Sequence, residues 1–269
     1  MRAQVPIPVC TMSLAPARQG SGRAVRPIEP DQWVELLVPA FGATKGLPQA
    51  GQDCAGYAAF ANESLRGGVS TKGWPRSVEP EEVELRAGPD ATRIVWLRVL
   101  NFENGDEGGP IALARVMPDR VDVYGIGSFR GPVGAQLSMA RIGNEHLLVA
   151  ETKICGEAND CAKRVHFYLV RRGRLVHSAA VDLERTAIVP SVTEQGLLAR
   201  YTLRTDLTYK ADGIQLLEQV RVRIIKSSDP DRDGDRDLRK VEFSRTLRVE
   251  RDALFSSNDP LWDRVVGQD

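Results

Sequence analysis

Long apolar runs are missing from this chain. No stretch approaches the roughly 18 consecutive apolar residues that a membrane-spanning helix needs, so the sequence offers no helical span. Charge of one sign is missing too. The 269 residues carry 36 basic and 36 acidic side chains, so no global field draws the chain to nucleic acid or to an anionic membrane, and any such binding has to come from a local patch. No His-Glu-x-x-His helix and no phosphate loop is present. The glycine-rich GIGSFRG, residues 125–131, lacks both the nucleophile-elbow and the dinucleotide spacing, and Gly125 and Gly127 read instead as sites of a bulge or of close strand packing. Glu81 and Glu82 are adjacent in sequence and point to opposite sides of a strand, which is not the placement of a glycosidase pair.

Hydrophobic residues make up 42% of the chain, enough for an ordinary core that needs no metal to hold it. The first 30 residues carry Pro6, Pro8, Pro16, Pro27 and Pro30 and no uninterrupted apolar segment, so they read as an extended tail and not as an intact signal peptide. Pro8 and Val9 stand where small residues normally precede a lipid-bearing cysteine, which argues against an anchor at Cys10. Residues 31–269 read as one principal β domain, with a subdomain break expected near 184–196.

Cysteine is scarce, and its spacing matters. Cys155 and Cys161 bracket a Gly-Glu-Ala-Asn-Asp turn. The separation is too wide for the close pairs of structural zinc sites, and a redox motif wants two intervening residues at a helix start. A disulfide across a hairpin fits best, because paired strands bring Cα atoms to about 5.5 Å; two reduced thiols are the alternative. Cys10 and Cys54 are candidates for a second bridge that ties the tail down. Disulfides point to an oxidising compartment outside the cytoplasm, and reduced thiols would place the chain in the cytoplasm.

From about residue 81 the hydrophobic period becomes two. Strands are expected at 81–87, 92–102, 111–117, 120–129, 135–142, 146–154, 163–171, 174–183, 197–210, 214–226 and 238–250, separated by turn signals and without intervening helices. That pattern predicts an all-β fold, a mainly antiparallel sandwich, barrel or meander. Short helices are expected at its two ends: one after Asp31, with Trp33, Leu36 and Leu37 on one face, and one in NDPLWDRVV.

Two registers can be predicted. A tight turn at Arg172-Gly173 sets Tyr168 opposite His177 and makes His166 a diagonal neighbour of His177. The three histidines, His146, His166 and His177, then share one face. They read as surface-packed rings, with a metal or acid–base pair as the sharper alternative. An Asp212-Gly213 turn sets Tyr209 opposite Leu216, Leu203 opposite Val222 and Arg204 opposite Arg221. Arg200, Arg204, Arg221 and Arg223 then lie together on the far face, a candidate anion-binding surface.

The sharpest motif is DPDRDGDRD, residues 229–237. Asp229, Asp231 and Asp233 before Gly234 resemble the opening of a calcium loop, with Asp235 and Asp237 as further ligands. Lys240 stands where an EF-hand would place its bidentate glutamate, and three arginines offset the carboxylates. The stretch therefore reads either as a solvated hairpin loop or as a weak calcium site. Taken together, these features predict an extracytoplasmic, non-enzymatic binding or structural protein of a cell envelope or secreted assembly, with a protein or polysaccharide partner. A hydrolase with a dispersed site at a sheet edge is the alternative reading.

Overall fold

The computed structural model describes residues 7–14, 28–39, 52–60, 65, 69–70, 79–88, 91–155, 161–225 and 236–266. Strands account for 66% of the chain, which places it in the all-β class. Among the described residues, no helix is long and apolar enough to cross a membrane. The chain divides into two compact units, residues 1–139 with 169–176, and residues 140–168 with 177–269.

The strands are β1 (Cys10–Ser13), β2 (Val69–Ser70), β3 (Val83–Ala87), β4 (Thr92–Leu97), β5 (Leu100–Asn101), β6 (Asp106–Val116), β7 (Arg120–Pro132), β8 (Gln136–Ile142), β9 (Glu145–Cys155), β10 (Cys161–Arg171), β11 (Arg174–Pro190), β12 (Leu198–Lys210), β13 (Gly213–Ile225), β14 (Arg236–Glu250) and β15 (Ala253–Phe255). The helices are α1 (Pro30–Leu37) and α2 (Leu261–Val265).

In the first unit, β3, β4, β6 and β7 pair antiparallel in that order, and β1 adds to β7. β1 thus gives a strand to the stretch expected to be an extended tail. The strand expected at 92–102 is two pieces, because its pairing with β6 shifts by one residue, from Trp96 opposite Ile111 to Leu100 opposite Gly108. Helix α1 is capped at Glu29, two residues before the expected cap at Asp31. Pro30 fills the first helical position, where a missing N–H costs nothing, and Gln32 Oε1 accepts the Glu29 N–H at 3.0 Å. The face made by Trp33, Val34, Leu36 and Leu37 is buried against Val95, Leu97, Ala112, Ala114, Val121 and Val123. A disulfide joins Cys10 to Cys54, their Cα atoms 5.9 Å apart.

The glycines of GIGSFRG serve the packing that their spacing suggested. The β6–β7 register shifts so that Ala114 faces Val123 and Leu113 faces Gly125, leaving Tyr124 as the bulged residue. The first residues of β11 then approach β7 in parallel, with Ile126 N–H bound to the Gly173 carbonyl at 2.9 Å. A Cβ on Gly127 would stand 2.7 Å from the Leu175 carbonyl oxygen, so only glycine admits this approach.

In the second unit, the strands from β8 to β15 are each hydrogen-bonded to the next in chain order, an open meander. β11 runs seven residues past its expected end at 183 and finishes at Pro190, a residue with no N–H to offer a continuing ladder. The break expected near 184–196 therefore falls in the end of β11 and the following turn, where Ser191 N–H bonds to the Leu197 carbonyl at 2.9 Å. One face of β12 and β13 buries Ala199, Tyr201, Leu203, Val220, Val222 and Ile224 under Leu261, Trp262 and Val265 of α2.

Candidate anion-binding face

Alternation along a strand sends residues of opposite parity to opposite faces. Because the odd residues of β12 and the even residues of β13 lie under α2, the even residues of β12 and the odd residues of β13 stand on the open side. These are Arg200, Thr202 and Arg204, facing Arg223, Arg221 and Gln219 respectively. β14 adds Lys240 opposite Arg221.

The faces agree with the sequence expectation, but the partners do not. Lys210 pairs with Gly213 around a turn at Ala211-Asp212, in place of the expected Asp212-Gly213 turn. The register is consequently two residues from the predicted one: Tyr209 faces Ile214, Leu203 faces Val220, and Arg204 faces Gln219. Gly213 is held inside the strand because a Cβ there would meet the Leu247 carbonyl oxygen at 2.3 Å. The direct oppositions of like charge fall on Arg200 with Arg223 and on Arg221 with Lys240, not on Arg204 with Arg221. Such a pair is unfavourable on a sheet unless something negative lies across it.

Arg200, Thr202, Arg204, Gln219, Arg221, Arg223 and Lys240 line a shallow, solvent-open depression of about 390 Å³. Every one of these side chains can donate a hydrogen bond, and none is a carboxylate. The carboxylates sit at its margins. Asp206 touches Arg204 at 3.5 Å, Glu242 touches Lys240 at 2.6 Å, and Glu184 lies opposite Arg204 in β11. A bulge between Val222 and Arg223 sets Asp237 opposite Arg223. Asp237 Oδ1 accepts from Arg221 Nε and Arg223 Nε, each at 2.9 Å. The Arg221 hydrogen bond, ahead of all other causes, holds the Asp237 carboxyl below its ordinary range.

Thr202 and Gln219 were not expected here from the sequence, and Lys240 was read only against the calcium loop and not as part of this face. The signal for Lys240 was available, because period two along LRKVEFSRTLRVE puts Lys240, Glu242 and Ser244 on one face. Of the calcium ligands expected in the 229–237 loop, Asp229, Asp231, Asp233 and Asp235 lie outside the described residues, and Asp237 is engaged by the two arginines. The side chains of Cys155 and Cys161 also lie outside the described residues; their strands β9 and β10 are neighbours in the sheet. Among the described residues, no three side chains of His, Cys, Asp or Glu gather closely enough to hold a metal ion between them.

The turn that joins β10 to β11 is as predicted. Arg172 and Gly173 both take positive φ, 49° and 78°, the conformation of a type I′ hairpin turn. His166 and His177 meet with Nδ1 and Nε2 3.2 Å apart, and Tyr168 packs edge-on against His177. His146 is exposed on β9. Burial, then the neighbouring His177 and Arg164, lowers the His166 pKa from its ordinary 6.5 to about 4. Burial also lowers that of His177.

This sets a pH dependence whose sign follows from linkage. The unfolded chain takes up a proton on His166 below about pH 6.5, whereas the folded chain resists until about pH 4. The stability present above 6.5 is therefore lost progressively as pH falls through that window. Urea titrations at steps from pH 7 to pH 4 should show this slope, and His166→Gln should flatten it. A parent and a variant with identical pH profiles would show that the ring is solvated.

No family model, curated protein or solved structure matches the chain.

Proposed function

We propose that the protein is a non-enzymatic binding component of an extracytoplasmic assembly, and that the open face of β12, β13 and β14 holds an acidic polysaccharide. The observation that carries this reading is the partition of charge on that face: donors alone inside the depression, carboxylates at its edge. Arg200 opposite Arg223 and Arg221 opposite Lys240 concentrate positive charge on this face, and a carboxylate or sulfate of the polymer would take further charge-assisted hydrogen bonds beside those that Asp237 already accepts. A shallow depression spread over three strands suits a chain that crosses the sheet better than a small molecule enclosed on all sides. The Cys10–Cys54 bond supports the oxidising setting. Among the described residues, the ring hydrogen bond of His166 is to His177, so the geometry of this pair lends nothing to the hydrolase reading.

The test is binding of polygalacturonate at low salt. Arg200→Gln with Arg223→Gln should weaken it by about tenfold or more, the worth of one or two charge-assisted hydrogen bonds at about 1.5–3 kcal/mol each. Affinity should also fall as salt rises, because these groups are solvent-accessible. Arg86→Gln, an exposed arginine of the first unit, is the control. Equal binding by the parent and the double variant would sink the proposal, as would retention of an acidic protein in place of the polysaccharide.

A further inference from the structure

His166 Nδ1 and His177 Nε2 meet at a distance that fits a hydrogen bond and also fits two ligands of one metal ion. A late first-row metal holds each imidazole nitrogen at about 2.0–2.1 Å. Two such nitrogens are then about 3.3 Å apart at a tetrahedral angle and about 2.9 Å apart at a right angle. The observed separation of Nδ1 and Nε2, 3.2 Å, falls between these values. We propose that His166 and His177 form a bidentate site for a divalent transition-metal ion, Cu²⁺ most tightly, with water completing the coordination.

Several features favour the site. The type I′ turn at Arg172-Gly173 fixes the register of β10 against β11, so the backbone brings the rings together before any ion arrives. Binding an ion would replace the ring-to-ring hydrogen bond, with both rings turning to direct a lone pair at the metal. The edge-on Tyr168 ring, centroid 5.2 Å from that of His177, limits the rotamers of the second ligand. The nearest cation, Arg164, is bound to Asp182 at 2.6 Å, which pairs its charge and reduces its opposition to a metal ion. Imidazole ligands suit Zn²⁺, Ni²⁺ and Cu²⁺, and the intrinsic order places Cu²⁺ first. With two protein ligands, the site differs from closed structural zinc centres, which take four, and it leaves positions open to exchange.

The experiment is a titration of the full chain with Cu²⁺ in a weakly coordinating buffer, followed by calorimetry and electron paramagnetic resonance. One ion per chain is expected, with hyperfine structure from two imidazole nitrogens. His166→Gln or His177→Gln should weaken binding by at least about tenfold, the low end of what disturbing even the outer shell of a metal site costs. Each should leave one coupled nitrogen, while His146→Gln changes nothing. A second measurement needs no variant: on titration with Zn²⁺, the imidazole resonances of His166 and His177 should shift together while those of His146 stay in place. Parent-like Cu²⁺ affinity in the doubly substituted chain overturns the proposal. Shifts confined to His146 overturn it as well.

Discussion

Arg245→Ala should lower the unfolding free energy by about 3–5 kcal/mol, the cost of leaving one partner of a buried ion pair uncompensated. Arg245 donates from Nε and Nη2 to a single oxygen, Glu218 Oε1, at 3.0 and 2.9 Å. The side chains are only 7% and 2% exposed. The other carboxylate oxygen, Oε2, accepts the Leu261 N–H at 2.9 Å, so the pair also fastens the start of α2 onto the sheet. Losing the guanidinium strands a charged carboxylate in the core and loosens the helix it holds. Urea titration followed by tryptophan fluorescence, with Trp262 on α2 as a local reporter, measures the loss. Replacing both partners, with Glu218→Gln and Arg245→Met together, should recover most of it, since no buried charge then remains unpaired. A single-variant loss below about 1 kcal/mol, the range of an exposed ion pair, would mean that water reaches the pair.

The second large effect is expected at the Cys10–Cys54 bond. The two cysteines are 44 residues apart in sequence, and closing a loop of that size stabilises the folded chain by about 4 kcal/mol in the chain-entropy model. Cys10→Ser with Cys54→Ser should therefore lower the unfolding free energy by about that amount. The loss should appear in the first unit, where β1 pairs with β7 and the Cys54 N–H bonds to the Leu37 carbonyl at 3.0 Å. Mass spectrometry of peptides digested without reduction reads the bond directly. Recovery of Cys10 and Cys54 as free thiols would remove both this prediction and the support it lends to an oxidising setting. The same digest answers the separate question of Cys155 and Cys161.

Local features of the sequence were legible where chemistry acts over a few residues. Arg172-Gly173 announced its turn because its glycine accepts positive φ freely, and that turn set His166 beside His177. Alternation in LLARYTLRTDLTYK and IQLLEQVRVRIIK announced which side chains go under the helix and which stay open, so Arg200, Arg204, Arg221 and Arg223 could be assigned to one face.

Partners were a different matter. A slip of one residue exposes a strand's whole apolar set and is strongly opposed, but a slip of two leaves every side chain on its own face. Hydrophobic pattern therefore cannot tell Leu203 opposite Val222 from Leu203 opposite Val220. The folded structure decides it, with Lys210 paired to Gly213 and Gly213 packed under the Leu247 carbonyl of the next strand. The bulge beside Arg223 that brings Asp237 to the arginines and the parallel approach of Arg174 to Ile126 were likewise decided there. Each joins segments whose attraction depends on where the rest of the chain has already placed them. By itself the sequence determined the all-β class, the faces of its strands and the shape of one hairpin, because alternation and turn conformation are properties of neighbouring residues. Which residues meet across those faces was left to the folded structure, because contact is set by the packing of distant ones.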